Sequence, residues 1–112
     1  MTPENEQKLA ELRTQYGEVL GGQAPDGTLV AVKAPPRGAW KQCVDAISKS
    51  KGDTDGAQYA LVCASLVSPA LPDGNPDLSR MSAIVERSPG ITQRLFDACS
   101  DLSKGGFDFA GN

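Results

Sequence analysis

Two adjacent prolines, Pro35 and Pro36, divide this chain more sharply than any other feature. Proline locks its own backbone angle, donates no ladder hydrogen bond and drives the preceding residue away from helical angles. A strand before residue 35 must therefore end there, and a helix can start only beyond it. The flanking residues fit both demands. "VAVKA" at 30–34 is strand-like. From residue 37, Trp40, Cys43, Val44 and Ile47 recur at helical spacing, with Lys41, Gln42, Asp45 and Lys49 on the opposite face.

Upstream, Pro25-Asp26-Gly27 is a turn signal, because proline presets one backbone angle and glycine accepts a positive one. Stretches rich in apolar and β-branched residues flank it at 18–20 and 28–32, which predicts a β-hairpin over about 18–34. Gly21 and Gly22 weaken its first strand. A lone hairpin is marginal in water, so this one must pack on helices or pair with another chain. Before it, Thr2-Pro3 reads as a helix cap followed by the preferred first helical residue. Glu4 and Glu6 suit the first turn, Leu9, Leu12 and Tyr16 follow at helical spacing, and Gly17 is the stop. A helix over 3–16 results.

Downstream, "SKSKGDTDG" at 48–56 is a polar loop. A third helix is expected from near Thr54, with Ala57, Leu61, Ala64 and Leu66/Val67 inward, stopping before Pro69. Asn75-Pro76 repeats the cap-then-proline start for a fourth helix carrying Leu78, Met81, Ile84 and Val85. Ser88-Pro89 opens a fifth, with Ile91, Leu95, Phe96, Ala98, Cys99 and Leu102, and Gly105-Gly106 closes it. The expected class is α+β, mainly α: an N-terminal helix, one β-hairpin, then about four short helices. Residues 1–106 form one small domain, and 107–112 form a flexible C-terminal tail whose Phe107 and Phe109 could dock elsewhere. With 39% hydrophobic and 5% aromatic residues in 112, the core must rest on Leu, Val, Ile and Ala.

Inventory removes most chemistry. The chain has no histidine, so neither a Ser-His-Asp nor a Cys-His pair can form. Cys43, Cys63 and Cys99 lack CxxC spacing, which argues against zinc, and their odd number argues against a disulfide framework. They read as buried thiols on apolar helix faces, suited to a reducing compartment. No glycine-rich loop matches a nucleotide fingerprint. Asp53/Asp55 and Asp73/Asp77 sit at loop-to-helix junctions, where aspartate caps and turns are expected. The expectation is no enzyme and no cofactor or metal. The net charge is −3 without a basic block, which argues against nucleic acid as a partner. Residues 76–103 could be a helix-turn-helix with Thr92, Gln93 and Arg94 near the start of its second helix, yet Asp97 and Asp101 share that helix. No apolar run approaches the roughly 20 residues of a membrane span, and "MTPENEQKLAEL" is too polar for a secretory leader.

Arg37 and Trp40 remain, three residues apart at the start of a helix. Both residue types are enriched at binding hot spots. The bland alternative is that Trp40 anchors its helix on the hairpin.

The pattern as a whole resembles the small tail assembly chaperones of long-tailed bacteriophages. The matching stretches are "EVLGGQAPDGTLVAVKAP", "PRGAWKQCVDAI", "CASLVSP" and "MSAIVERSPGITQRLFDACSDLSKGG". Within them, Lys33-Ala34-Pro35, Arg37 with Trp40, Val67-Ser68-Pro69, Glu86-Arg87-Ser88-Pro89 and Gly105 correspond to recurrent family elements. Trp40 stands at a position that is often acidic in the family. The resemblance implies a non-enzymatic helper in the host bacterial cytoplasm. Its partners would be the phage tape measure protein and a tail tube subunit; independently of the resemblance, a small acidic module with amphipathic helices and a free hairpin could self-associate. A helical client calls for an exposed apolar groove. The candidates for contact are Trp40, Val44 and Ile47, with Arg37 beside them, or Leu95, Phe96 and Leu102 of the last helix; the alternative is that all six apolar residues fill the core. The competing reading is another small phage accessory protein, either a host-defence inhibitor or a head–tail structural subunit.

Overall fold

The computed structural model describes residues 1–49 and 54–104. Local chemistry builds the first helix, α1, Pro3–Tyr16. The Thr2 hydroxyl oxygen accepts the Asn5 N–H at 3.2 Å, and Gly17 closes the helix at φ 85° by donating its N–H to the Arg13 carbonyl. Strands β1, Val19–Gln23, and β2, Leu29–Lys33, follow as the expected hairpin. In the turn, the Asp26 carboxylate accepts the Thr28 N–H at 2.9 Å and Gly27 takes φ 90°. Beyond the two prolines come α2, Arg37–Lys49; α3, Asp55–Ser65; β3, Leu66–Ser68; α4, Leu78–Arg87; and α5, Ile91–Ser103. The class is α+β, mainly α.

The sheet is antiparallel with order β1-β2-β3, which makes β2 the central strand. Its side chains alternate between two apolar clusters. Leu29 and Ala31 join Leu9, Val19 and Val67 beneath α1. Val30 and Val32 join Cys43, Leu61, Val62, Met81 and Cys99 beneath the layer of α2–α5. The sheet is thus covered by α1 on one face and by α3 and α5 on the other, with α2 packed on α3.

Polar contacts fix α1 over the hairpin. Asn5 is buried, and its amide donates to Gln23 Oε1 at 2.7 Å and to the Gly27 carbonyl at 2.9 Å. Arg13 Nε donates to the Val19 carbonyl at 3.1 Å, so both ends of the helix are tied to β1 or its turn.

Several details depart from the sequence-based expectation. The third helix ends at Ser65, and Leu66–Ser68 leaves it as a strand. Leu66 and Val67 point to opposite clusters, a demand that a two-residue period meets and a helical one does not. The hairpin is therefore not alone: Ser68 Oγ donates to the Leu29 carbonyl at 2.8 Å beside the β2–β3 pairing. The fourth helix is capped by Asp77, which accepts the Arg80 N–H at 3.1 Å, and not by Asn75. Residues 69–77 instead form a closed loop, with Leu71 N–H bonded to the Asn75 carbonyl at 2.7 Å and Asp77 N–H to the Pro69 carbonyl at 2.9 Å. The expected stop at Gly105-Gly106, the tail 107–112 with Phe107 and Phe109, and residues 50–53 of the polar loop lie outside the described residues.

Gly21 is more than a weak strand residue. It pairs with Ala31, and a Cβ there would lie 2.9 Å from both the Ala31 Cβ and the Val30 carbonyl oxygen. A Cβ at Gly22 would meet nothing within 4 Å. Gly21→Ala is expected to cost about 1–3 kcal/mol in denaturant unfolding, and Gly22→Ala less than about 0.5 kcal/mol. Equal losses at the two positions would contradict this packing of β1 on β2.

Candidate interaction surface

Trp40 lies in the first turn of α2, half-buried against the larger core cluster. Its indole stacks on Phe96 of α5, with ring centroids 6.2 Å apart and planes at 17°. The Trp40–Phe96 contact pins the start of α2 to the middle of α5. Arg37, one turn earlier, is exposed. Val44 is 44% exposed and Ile47 half-buried, so Trp40, Val44 and Ile47 form a stripe at i, i+4, i+7 that is only partly covered. Leu95 and Leu102 differ, being 6% and 5% exposed in the core. Five of the seven residues singled out in the sequence thus have surface to offer, and two hold α5 in place.

On the other flank of α2, past the buried Cys43, α2 and α3 are separated by a shallow furrow of about 220 Å³ lined by Ala39, Ala46, Ala57, Ala60 and Ala64. The alanine side chains leave it open and apolar. A second groove, about 350 Å³, runs between β1 and α5 and is lined by Leu20, Gly22, Ile91, Arg94 and Ala98. Leu20, 38% exposed, was not singled out in the sequence. The signal was available in the alternation: Leu20 faces Val32 across the hairpin and shares its side of the sheet.

The groups that could have carried chemistry are engaged in structure. Cys43 and Cys99 are buried and Cys63 half-buried, all as free thiols. Burial pushes all three thiols up from the usual cysteine range, so they stay protonated at neutral pH. Asp26 is held below its ordinary value first by the Thr28 N–H, then by the Thr28 hydroxyl, with Arg80 at 3.8 Å adding charge. Asp73 accepts the Asn75 N–H in a turn and Asp77 is a cap, as the sequence indicated for that pair. Asp55 opens α3, and Asp53 lies outside the described residues. Among the described residues there is no cluster of three or more metal-ligating side chains, and no helix is long and apolar enough to cross a membrane. In the α4–α5 pair, Gln93 bonds Asp97 at 3.0 Å, and α5 packs its inner face on α3 and the sheet. Lys33 lies over the Tyr16 ring, 5.1 Å from its centre, bridging β2 and the end of α1.

The fold is similar to that of the tail assembly chaperone of bacteriophage HK97. The TM-score is 0.51 at 19% sequence identity, over 86% of this chain and 97% of that one. No protein-family model matches the sequence, and no curated protein does.

The cysteine environments set an order of reactivity. In the native protein at pH 8, an aromatic disulfide reagent is expected to modify Cys63 first, and Cys43 and Cys99 at least about tenfold more slowly. In denaturant all three should react alike. Rapid native labelling of Cys99 would contradict its burial between the helices.

Proposed function

We propose that the chain is a phage tail assembly chaperone that binds the tape measure protein and keeps it soluble in the host cytoplasm. The observation that carries the reading is the likeness of fold to the HK97 tail assembly chaperone across nearly the whole of that chain. The motifs that carry the sequence resemblance support it, because they fall at the joints of the fold. Lys33-Ala34-Pro35 ends β2, Arg37 opens α2, Val67-Ser68-Pro69 ends β3, and Glu86-Arg87-Ser88-Pro89 spans the turn from α4 to α5.

The proposed contact surface is the partly covered stripe of α2: Trp40, Val44 and Ile47, with Arg37 at one end and Phe96 beside Trp40. A helical client would lay its apolar stripe along these residues. Docking would remove Val44 from water and complete the half-burial of Ile47, the apolar gain that drives association. Leu95 and Leu102 contribute by holding α5 beneath Phe96. A tail tube subunit is the second proposed partner, meeting the chaperone on its client.

Co-expression with the tape measure protein and affinity capture tests the reading. The wild-type chain should hold the client in the soluble fraction. Val44→Asp should lower the captured affinity at least about tenfold, roughly 1.4 kcal/mol, without unfolding the chaperone. A client left insoluble and unbound by the wild-type chain would overturn the proposal in favour of a head–tail subunit or a host-defence inhibitor.

A further inference from the structure

The outer edge of β1 is unpaired among the described residues. Ala24 donates its N–H to the Thr28 carbonyl at 2.8 Å, and bonded and non-bonded pairs alternate along an antiparallel ladder. The backbone groups of Leu20 and Gly22 therefore turn to β2, and those of Val19, Gly21 and Gln23 turn outward. Open edges are usually blunted by charge or proline, and Val19–Gln23 contains neither.

The side of β1 that faces α5 is complementary to itself. Leu20 and Gly22, two residues apart, stand on that side, opposite the buried Val32 and Val30. Leu20 is a 38% exposed knob. A Cβ at Gly22 would meet nothing within 4 Å, so Gly22 leaves a hole. Helix α5 repeats the complementarity in charge. Arg94 and Ala98 wall the groove along Leu20–Gln23, and Asp101 walls the cleft at Val19 and Leu20, so α5 runs antiparallel to β1. Arg94 and Asp101 are exposed on one face of α5, about 10 Å apart along its axis. The strand covers the same length, about 10 Å, from Leu20 to Gln23. Asp101 also meets Lys104 at 3.9 Å, a surface pair of little strength.

We propose that β1 pairs with β1 of a second copy of this chain, antiparallel about a two-fold axis between the two Gly21 residues. A two-fold contact requires one patch to fit its own copy, and this register does so twice. It sets Leu20 of each copy opposite Gly22 of the other, at a non-hydrogen-bonded pair where side chains approach most closely, in the groove beside Ile91. It also turns Arg94 of each copy toward Asp101 of the other, with the small Ala98 between them near the axis. Moving the axis by one residue loses the fit, because Leu20 would then oppose Leu20, or Gly22 oppose Gly22. The outward N–H groups of Val19, Gly21 and Gln23 find the carbonyls of Gln23, Gly21 and Val19 in the second copy. The Val19 carbonyl already accepts Arg13 Nε and uses its second lone pair. The two three-stranded sheets become one, with β1 at its centre. None of these residues belongs to the α2 stripe, so the dimer stands independently of the client's identity.

Analytical ultracentrifugation of the full chain over a concentration series tests it. The mass is expected to rise toward twice the 11.7 kDa of one chain. Gly22→Val, which fills the hole with a good strand former, should raise the dimer Kd at least about tenfold with the circular dichroism spectrum unchanged. Arg94→Asp should also weaken the dimer. Arg94→Asp/Asp101→Arg should restore it, because the exchanged charges meet again across the axis, a rescue that a merely structural role would not give. Hydrogen exchange of the Val19, Gly21 and Gln23 amides should slow as concentration rises, while Val30 and Val32 stay protected throughout. A single-chain mass at every concentration would overturn the proposal. So would a dimer that Gly22→Val and Arg94→Asp leave intact, or a double variant no tighter than Arg94→Asp alone.

Discussion

Everything in this fold depends on the burial of β2 on both faces. Five residues, Leu29–Lys33, supply Leu29 and Ala31 to one apolar cluster and Val30 and Val32 to the other. Neither cluster is large, and an aromatic-poor chain of 112 residues has little apolar area to spare. By sharing one strand, the two clusters avoid needing separate cores. The rest of the sheet serves that strand. β1 can approach it closely because Gly21 has no side chain to strike Ala31, and β3 covers its other edge with a segment of three residues.

The joints of the structure were legible where a residue type can do only one thing. Proline at 35 and 36 cannot continue a strand, Pro-Asp-Gly cannot help turning, and Thr2-Pro3 caps a helix by its own hydroxyl. The rest depended on neighbours distant in sequence. "LVS" at 66–68 continues a helical apolar pattern as readily as it makes a strand. Only the presence of β2 beside it decides, because a short apolar run carries no period of its own. Asn75-Pro76 has the form of a cap, yet Asn75 closes a loop with Leu71 and leaves the capping to Asp77. The buried Asn5 carries no signal at all in sequence, since its partners Gln23 and Gly27 are set by the hairpin.

The candidate surface divides along the same line. Helical spacing correctly grouped Trp40, Val44 and Ile47 on one face of α2, and also grouped Leu95 and Leu102 on α5. Spacing does not tell which apolar face is covered. Cover depends on the packing of α5 against α3 and the sheet, which buries Leu95 and Leu102 while α2 keeps Val44 in water. The Trp40–Phe96 stack joins the two helices, so that Trp40 anchors α2 on α5. A small module of this kind can keep the apolar stripe of α2 at its surface only if its thin core keeps both helix layers on the sheet.

That coupling can be measured directly. Leu9 lies in the cluster under α1, and Trp40 reports from the opposite layer. Leu9→Ala is expected to cost about 2–4 kcal/mol and to move the denaturant midpoint seen by Trp40 fluorescence together with that seen by circular dichroism. A Trp40 transition left in place while α1 melts early would show two independent halves, and would contradict a fold held together by one shared strand.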